Sequence, residues 1–225
     1  MKKMILVSAG DALGAKLVQE AGFQGVWISG FEASARLGLP DNGSIMLSEM
    51  LAIAKPIVES IHIPVYVDCD TGYQNFERTI KEFENIGVAG ICVQDDMPHL
   101  KQNSLWGGKT PLMDMKDFAQ KIAIPRKIKI IARTEALIRG YYMEEALKRG
   151  RFYSKVADFT LIHTRDGKGD ECRNIALKWH CRQKLAIVPT KFPQFSAKHL
   201  FDMGYSMVIF ANQTERVKIK AIREA

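Results

Sequence analysis

Two aspartates two positions apart, Asp68 and Asp70, close the short apolar run Val65–Val67, and polar side chains end several other apolar runs in the same way. Trp27-Ile28-Ser29-Gly30 completes the run that begins at Gly25, and Gln94-Asp95-Asp96 follows Gly90–Val93. Arg133 follows Ile128–Ile131, His163 follows Phe159–Ile162, Thr190-Lys191 follows Leu185–Val188, and Asn212 follows Met207–Phe210. Carboxylates, together with amide and water oxygens, are the ligands of a hard divalent ion such as Mg²⁺. Side chains two apart on an extended strand share a face, so Asp68 is the candidate direct ligand and Asp70 a ligand through water. Taken alone, such a pair could equally cap the following turn. Arg133 offers a planar fork suited to phosphoryl or carboxylate oxygens, and His163 can donate to the same group. Each also has a local reading: Arg133 pairing with the nearby Glu135, and His163 as a core histidine on an apolar strand.

These residues become a site only if the elements beneath them converge. Counting a first run, Met4–Val7, eight apolar, β-branched runs alternate with longer segments of helical period, the pattern of repeated βα units around a parallel sheet buried on both faces. Helix boundaries are signalled by Asp11 as N-cap with Gly22 just past the end, and by Asn75 and Gly87 around the next clear case. At about 28 residues per unit, the 225 residues suit a single-domain (β/α)8 TIM barrel spanning 1–225. In such a barrel the C-terminal strand ends share one face, where the active site is built. A Rossmann-like open sheet is the structural alternative, but no GxGxxG follows any run.

Composition is that of a globular protein, 47% hydrophobic and 25% charged. The net charge of +7 admits nucleic acid, an anionic membrane or small anionic substrates. The lysines are scattered and no aromatic-interleaved basic stripe accompanies them, which argues against nucleic acid. No apolar stretch approaches the roughly 20 residues of a membrane span, and MKKMILVSAG lacks a signal-peptide core of adequate length. Four cysteines without CxxC spacing suit a reducing, cytoplasmic setting.

Read in order, GFQGVWISGFEASARLGLPD, IPVYVDCDTGYQNF, VAGICVQDD, KQNSLWGGKTPL, IIARTEALIRGYYMEEALKR, IVPTKFP and DMGYSMVIFANQ resemble the successive motifs of the isocitrate lyase superfamily, in particular its phosphoenolpyruvate mutase and phosphonopyruvate hydrolase branch. The match runs from about Ala9 to Asn212. The resemblance implies a Mg²⁺-dependent enzyme, with Mn²⁺ as a possible substitute, acting on a small anionic 2-oxo acid or phosphoryl substrate. For a mutase the reaction is the interconversion of phosphoenolpyruvate and phosphonopyruvate. Carried over residue by residue, Asp68 is the principal metal ligand, and Asp70 and Gln94 belong to its water-mediated shell. Trp27 lines the pocket, and Ser29 with the N–H groups of Gly30 and Phe31 anchors substrate. Asp41 stands beside the reacting phosphoryl group, which Arg133 and His163 contact. Lys101, Asn103, Ser104 and Leu105 lie on a gating loop at about 96–110.

Two loop features sort the activities within the superfamily. Related hydrolases tend to carry Thr where mutases have Asn, and Asn103 stands here; the carbon-carbon lyases, which act on 2-oxo or 2-hydroxy acids, carry Lys-x-Cys-Gly-His, which KQNSL does not match. The chain departs from the mutase pattern where Glu-Asp-Lys reads Gln94-Asp95-Asp96, and its loop is about one residue longer. The alternatives are a phosphonopyruvate hydrolase and a non-catalytic anion-binding barrel, which these departures motivate, and a superfamily carbon-carbon lyase acting on a 2-oxo or 2-hydroxy acid. Family members continue past VKIKAIREA with a helix that packs on a neighbouring subunit, and the resemblance implies a homo-oligomer, dimer or tetramer.

Overall fold

The computed structural model describes residues 3–104, 108–182 and 184–225. Eight strands close a parallel barrel in chain order: β1 (Met4–Ser8), β2 (Gly25–Ile28), β3 (Val65–Asp68), β4 (Gly90–Gln94), β5 (Lys129–Thr134), β6 (Phe159–Ile162), β7 (Lys184–Ile187) and β8 (Met207–Phe210), with β8 pairing back to β1. Helices α1 (Ala12–Glu20), α2 (Gly30–Arg36), α3 (Leu47–Ser60), α4 (Phe76–Asn85), α5 (Met115–Ile122), α6 (Met143–Tyr153), α7 (Asp170–Lys178), α8 (Ala197–Asp202) and α9 (Gln213–Glu224) surround it. The fold is a (β/α)8 TIM barrel, as the alternation of runs requires. Among the described residues, no helix is long and apolar enough to cross a membrane.

Alternation along each strand divides the core. Val67, Val93 and Ala132 face outward into the layer beneath the helices, while Trp27, Tyr66, Cys92 and Ile131 fill the barrel interior. The helix signals hold: Asp11 Oδ1 accepts from Gly14 N at 2.7 Å, and Asn75 Oδ1 accepts from Arg78 N at 2.9 Å. Gly22 (φ +81°) and Gly87 (φ +82°) leave the helices in the left-handed region that favours glycine. Strand lengths differ from the apolar runs. β3, β4 and β5 continue through Asp68, Gln94 and Thr134, because ladder bonds persist where the side chains turn polar; Gln94 is paired with Arg133 inside the sheet.

Helix α2 carries a buried acid that its polar neighbours do not advertise. Glu32 is 1% exposed, and neither of its carboxylate oxygens has a hydrogen bond. Burial pushes its carboxyl up to about 7, against a weaker downward pull from the Ser8 hydroxyl. Ser8 is itself engaged with Thr214 at 2.7 Å, and Arg36 is taken by Asp11 and the Gly10 carbonyl.

A folded pKa above the unfolded value favours the protonated folded state. The stability this contributes is therefore full below the ordinary value of 4.5 and lost as pH rises through about 7. Glu32→Gln cannot titrate. Its unfolding free energy relative to the parent should rise by about 1.4 kcal/mol per pH unit between pH 5 and 7 and then level off. Urea unfolding at pH 5, 6, 7 and 8 measures this, and a constant difference would show that Glu32 does not titrate in that window.

Candidate active site

The same parity that fills the barrel interior sets the chemistry of its mouth. Two residues beyond Tyr66, Cys92, Ile131 and Leu161 stand Asp68, Gln94, Arg133 and His163, so the next inward layer at the C-terminal end is polar. They line a cavity of about 90 Å³ together with Trp27, Ser29 and Phe31 on one side and Thr190, Lys191 and Asn212 on the other. Sequence reasoning named Thr190, Lys191 and Asn212 only as strand ends; of the other lining residues, Thr164 had no signal beyond adjacency to His163, and Ile138 had none.

The turn after β3 aims the two aspartates. Asp70 adopts φ +47°, tolerable for an aspartate, and its carbonyl accepts from Gln94 N at 2.8 Å, tying the turn to β4. Gly30 makes room: a Cβ there would lie 3.3 Å from Asp70 Oδ1. Burial raises the Asp68 carboxyl and pushes that of Asp70 up to about 6, although Arg133 and Lys101 pull the other way. Lys101 Nζ sits 3.1 Å from Asp70 Oδ1 and donates to Asp41. Burial disfavours its charge, but Asp70 and Asp41 hold the ammonium above its ordinary value. Asn103 Nδ2 donates to the other oxygen of Asp41. Lys101 and Asn103, two apart, thus reach the same carboxylate and lay their segment over the cavity.

A second cluster centres on Glu135, which is fully buried. Its Oε1 accepts from Arg133 Nε and lies 2.8 Å from His163 Nδ1, while Oε2 accepts from Ser104 Oγ at 2.8 Å. Burial opposes its ionisation, but Arg133 and His163 hold the carboxyl well below its usual range, and Glu135 and Asp68 in turn hold Arg133 above its own. Arg133 also reaches Asp68 Oδ2 at 3.3 Å and Ser104 Oγ at 2.8 Å. A guanidinium only donates and a carboxylate only accepts, so the role of His163 Nδ1 depends on whether it serves Arg133 NH2 at 2.9 Å or Glu135 Oε1 at 2.8 Å; both contacts fall on Nδ1 and leave Nε2 as the ring atom available to a ligand. The pairing of Arg133 with Glu135 and its place in the cavity are both realised.

Asp95, grouped by sequence with the polar strand ends, points the other way. It has odd parity on β4 and accepts from Thr134 Oγ1 (2.8 Å), Glu135 N (2.9 Å), Arg149 (3.1 Å) and Tyr153 OH (2.8 Å). Its role is to bind β4 to β5 and α6. Asp96 is equally buried: Arg139 grips it with Nε at 2.8 Å and NH2 at 2.6 Å, and the same NH2 donates to the Gln102 carbonyl at 2.9 Å. Burial pushes the Asp96 carboxyl up, against the pull of the Arg139 guanidinium, which Asp96 in turn holds above its ordinary value.

Gln94 Nε2 donates to Asp96 Oδ2 at 2.8 Å, which fixes the amide orientation and leaves Oε1 as a buried acceptor with no partner. An unpaired acceptor beside two buried carboxylates is a donor set suited to a hard cation and its water. Among the described residues, no group of three or more His, Cys, Asp or Glu side chains could hold a metal ion. A cation here would draw most of its ligands from substrate and water, as Mg²⁺ commonly does.

Of the residues expected from the sequence, Trp27, Ser29, Phe31, Asp41, Asp68, Asp70, Gln94, Lys101, Asn103, Ser104, Arg133 and His163 line one cavity, and Gly30 abuts Asp70. Leu105 lies outside the described residues.

The family model for phosphoenolpyruvate phosphomutase matches residues 1–225. The chain belongs to the phosphoenolpyruvate phosphomutase family. It is 31% identical to a phosphoenolpyruvate phosphomutase of Tetrahymena pyriformis, over 97% of this chain and 76% of that one. It is 34% identical to a phosphonopyruvate hydrolase of Variovorax sp. (strain Pal2), over 97% of this chain and 79% of that one. The crystal structure of a phosphoenolpyruvate phosphomutase from Streptomyces platensis subsp. rosaceus superposes with a TM-score of 0.95 at 34% identity, covering 100% of this chain and 81% of that one. A phosphonopyruvate hydrolase solved with oxalate and Mg²⁺ gives 0.90 at 31%, covering 99% and 80%.

Within this family's site, the Gln94–Asp96 bond makes the two departures interdependent. Gln94→Glu alone sets two carboxylates face to face and should lower the unfolding free energy by about 2 kcal/mol at pH 8. Adding Asp96→Asn restores a donor opposite the new carboxylate but takes one oxygen and the counter-charge from the Arg139 fork, so it should recover only part of the loss. Denaturant titration of both variants checks this; equal stability of Gln94→Glu and the parent would show that the bond does not constrain position 94.

Proposed function

We propose that this chain is a Mg²⁺-dependent enzyme interconverting phosphoenolpyruvate and phosphonopyruvate. The observation that carries the reading is a division of labour within one cavity: Asp68 and Asp70 bring carboxylates suited to a cation, Arg133 and His163 bring groups suited to phosphoryl oxygens, and Asn103 reaches Asp41 from the covering segment. A substrate joining a pyruvyl half to a phosphoryl half needs such a division.

Asp68, with Asp70 and Gln94 through water, would hold Mg²⁺, which when bound neutralises charge developing on the enolate and carboxylate oxygens of the pyruvyl half. The Ser29 hydroxyl and the N–H groups of Gly30 and Phe31 orient the pyruvyl carboxylate, and Trp27 Nε1, buried without a partner, offers one more donor. In the direction of phosphoenolpyruvate, the C3–P bond breaks, its electron pair remains on the pyruvyl half as the enolate, and the enolate oxygen takes the phosphorus. Arg133, Asn103 and His163, the ring donating from a protonated Nε2, hold the phosphoryl oxygens while the group is loosely bonded to both ends. The Lys101–Ser104 segment excludes water, which would otherwise take the same phosphorus.

Phosphonopyruvate hydrolysis is the second reading, favoured by the Variovorax relative and by the altered Gln94–Asp96 pair. Asn103, where related hydrolases tend to carry Thr, favours the mutase.

Phosphorus NMR of the protein with phosphonopyruvate and Mg²⁺ separates them. Formation of phosphoenolpyruvate is the expected result, inorganic phosphate would move the chain to the hydrolases, and an unchanged spectrum over hours would sink both. Asp68→Ala should lose turnover by more than about 10³-fold and should lose calorimetric Mg²⁺ binding in the presence of oxalate. Retained binding would remove Asp68 from the metal.

A further inference from the structure

Arg139 takes no part in the chemistry above, yet it is 1% exposed and sits between the site and the segment that covers it. Its backbone is fixed by the turn after β5, where Arg139 N donates to the Glu135 carbonyl at 2.9 Å. Its side chain grips Asp96, which holds Gln94 at 2.8 Å, and it reaches the Gln102 carbonyl at 2.9 Å. Gln102 lies between the two residues whose side chains reach Asp41, Lys101 and Asn103. Tying that one carbonyl outward therefore sets the register in which both neighbours point inward. Where the family pattern has a cation after strand four, this chain has Asp96, and the cation comes instead from Arg139, whose fork can hold a carboxylate and a carbonyl together. Burying such a pair contributes little net stability, and its best-attested use is to fix a unique arrangement.

We propose that Arg139 is a positioning residue that latches the Lys101–Ser104 segment over the site and thereby sets the partition between phosphoryl transfer to the enolate oxygen and transfer to water. The partition rests on the function proposed above; the latch does not. In the competing reaction a water oxygen bonds phosphorus as the C3–P bond breaks. The electron pair stays on the pyruvyl half, C3 takes a proton from water, and pyruvate and phosphate result.

Two measurements on Arg139→Met test the proposal with the full chain. Hydrogen–deuterium exchange of the peptide containing residues 102–104 should accelerate at least about tenfold, while core strands such as β5 keep parental protection. Phosphorus NMR with phosphonopyruvate and Mg²⁺ should show the phosphate share of product rising several-fold. Unchanged exchange at 102–104 overturns the latch whatever the activity. Faster exchange with a lower rate but an unchanged product ratio overturns the control of partition. If the parent itself converts no phosphonopyruvate, the function proposed above fails, and the exchange arm still decides the latch. Should Arg139→Met not fold, Asp96→Asn with Arg139→Gln removes both buried charges and is read in the same way. Arg139→Lys keeps the charge without the fork and should restore less than half of the lost protection; full restoration would show that charge alone suffices and overturn the role given to the fork.

Discussion

Glu135 has no surface in contact with solvent, and its two oxygens hold Arg133, His163 and Ser104 at once. A buried carboxylate is tolerated only when such partners offset its lost hydration, and here they come from β5, β6 and the segment over the cavity. Because Glu135 occupies Arg133 Nε and His163 Nδ1, it decides which atoms remain for a ligand. Of the Arg133 contacts, the 3.3 Å approach to Asp68 is the longest and the one a bound group would displace most easily. The arrangement is set before any ligand arrives, which is what electrostatic preorganisation requires.

The parity of the strands explains most of what was legible in the sequence. Once Tyr66, Cys92, Ile131 and Leu161 face the interior, Asp68, Gln94, Arg133 and His163 must do so too, and only the barrel was needed to bring them together. The same rule turns Asp95 outward to Arg149 and Tyr153, although the preceding residue, Gln94, is a candidate for the metal shell. The polar ends Asp68, Gln94 and Arg133 expected from the sequence are strand residues for a related reason. The apolar run stops where the site begins, but backbone pairing does not, so Arg133 is paired within β5.

What was not legible depended on contacts far apart in the chain. Arg139 in a short turn before a helix carries no local mark of burial, and its partners Asp96 and Gln102 lie 43 and 37 residues away. Glu32, on a short helix with serine and arginine neighbours, has the composition of a solvated face, yet it is buried beside Ser8 and within reach of the charges of Glu215 and Lys218 on α9. In both cases tertiary packing overrode what residue type predicts.

Three buried arginines share the work around the cavity mouth without duplicating it. Arg149 holds Asp95 and binds α6 to the strands; Arg133 holds Glu135 and faces the cavity; Arg139 holds Asp96 and reaches the covering segment. Each carboxylate sits at the end of β4 or β5, and the three are divided among three cations with separate outlets. A mutase-like Lys at position 96 would face the Arg139 guanidinium, and a Glu at position 94 would face Asp96. The replacements at 94 and 96 and the arginine at 139 therefore form one electrostatic unit in which no member can revert alone.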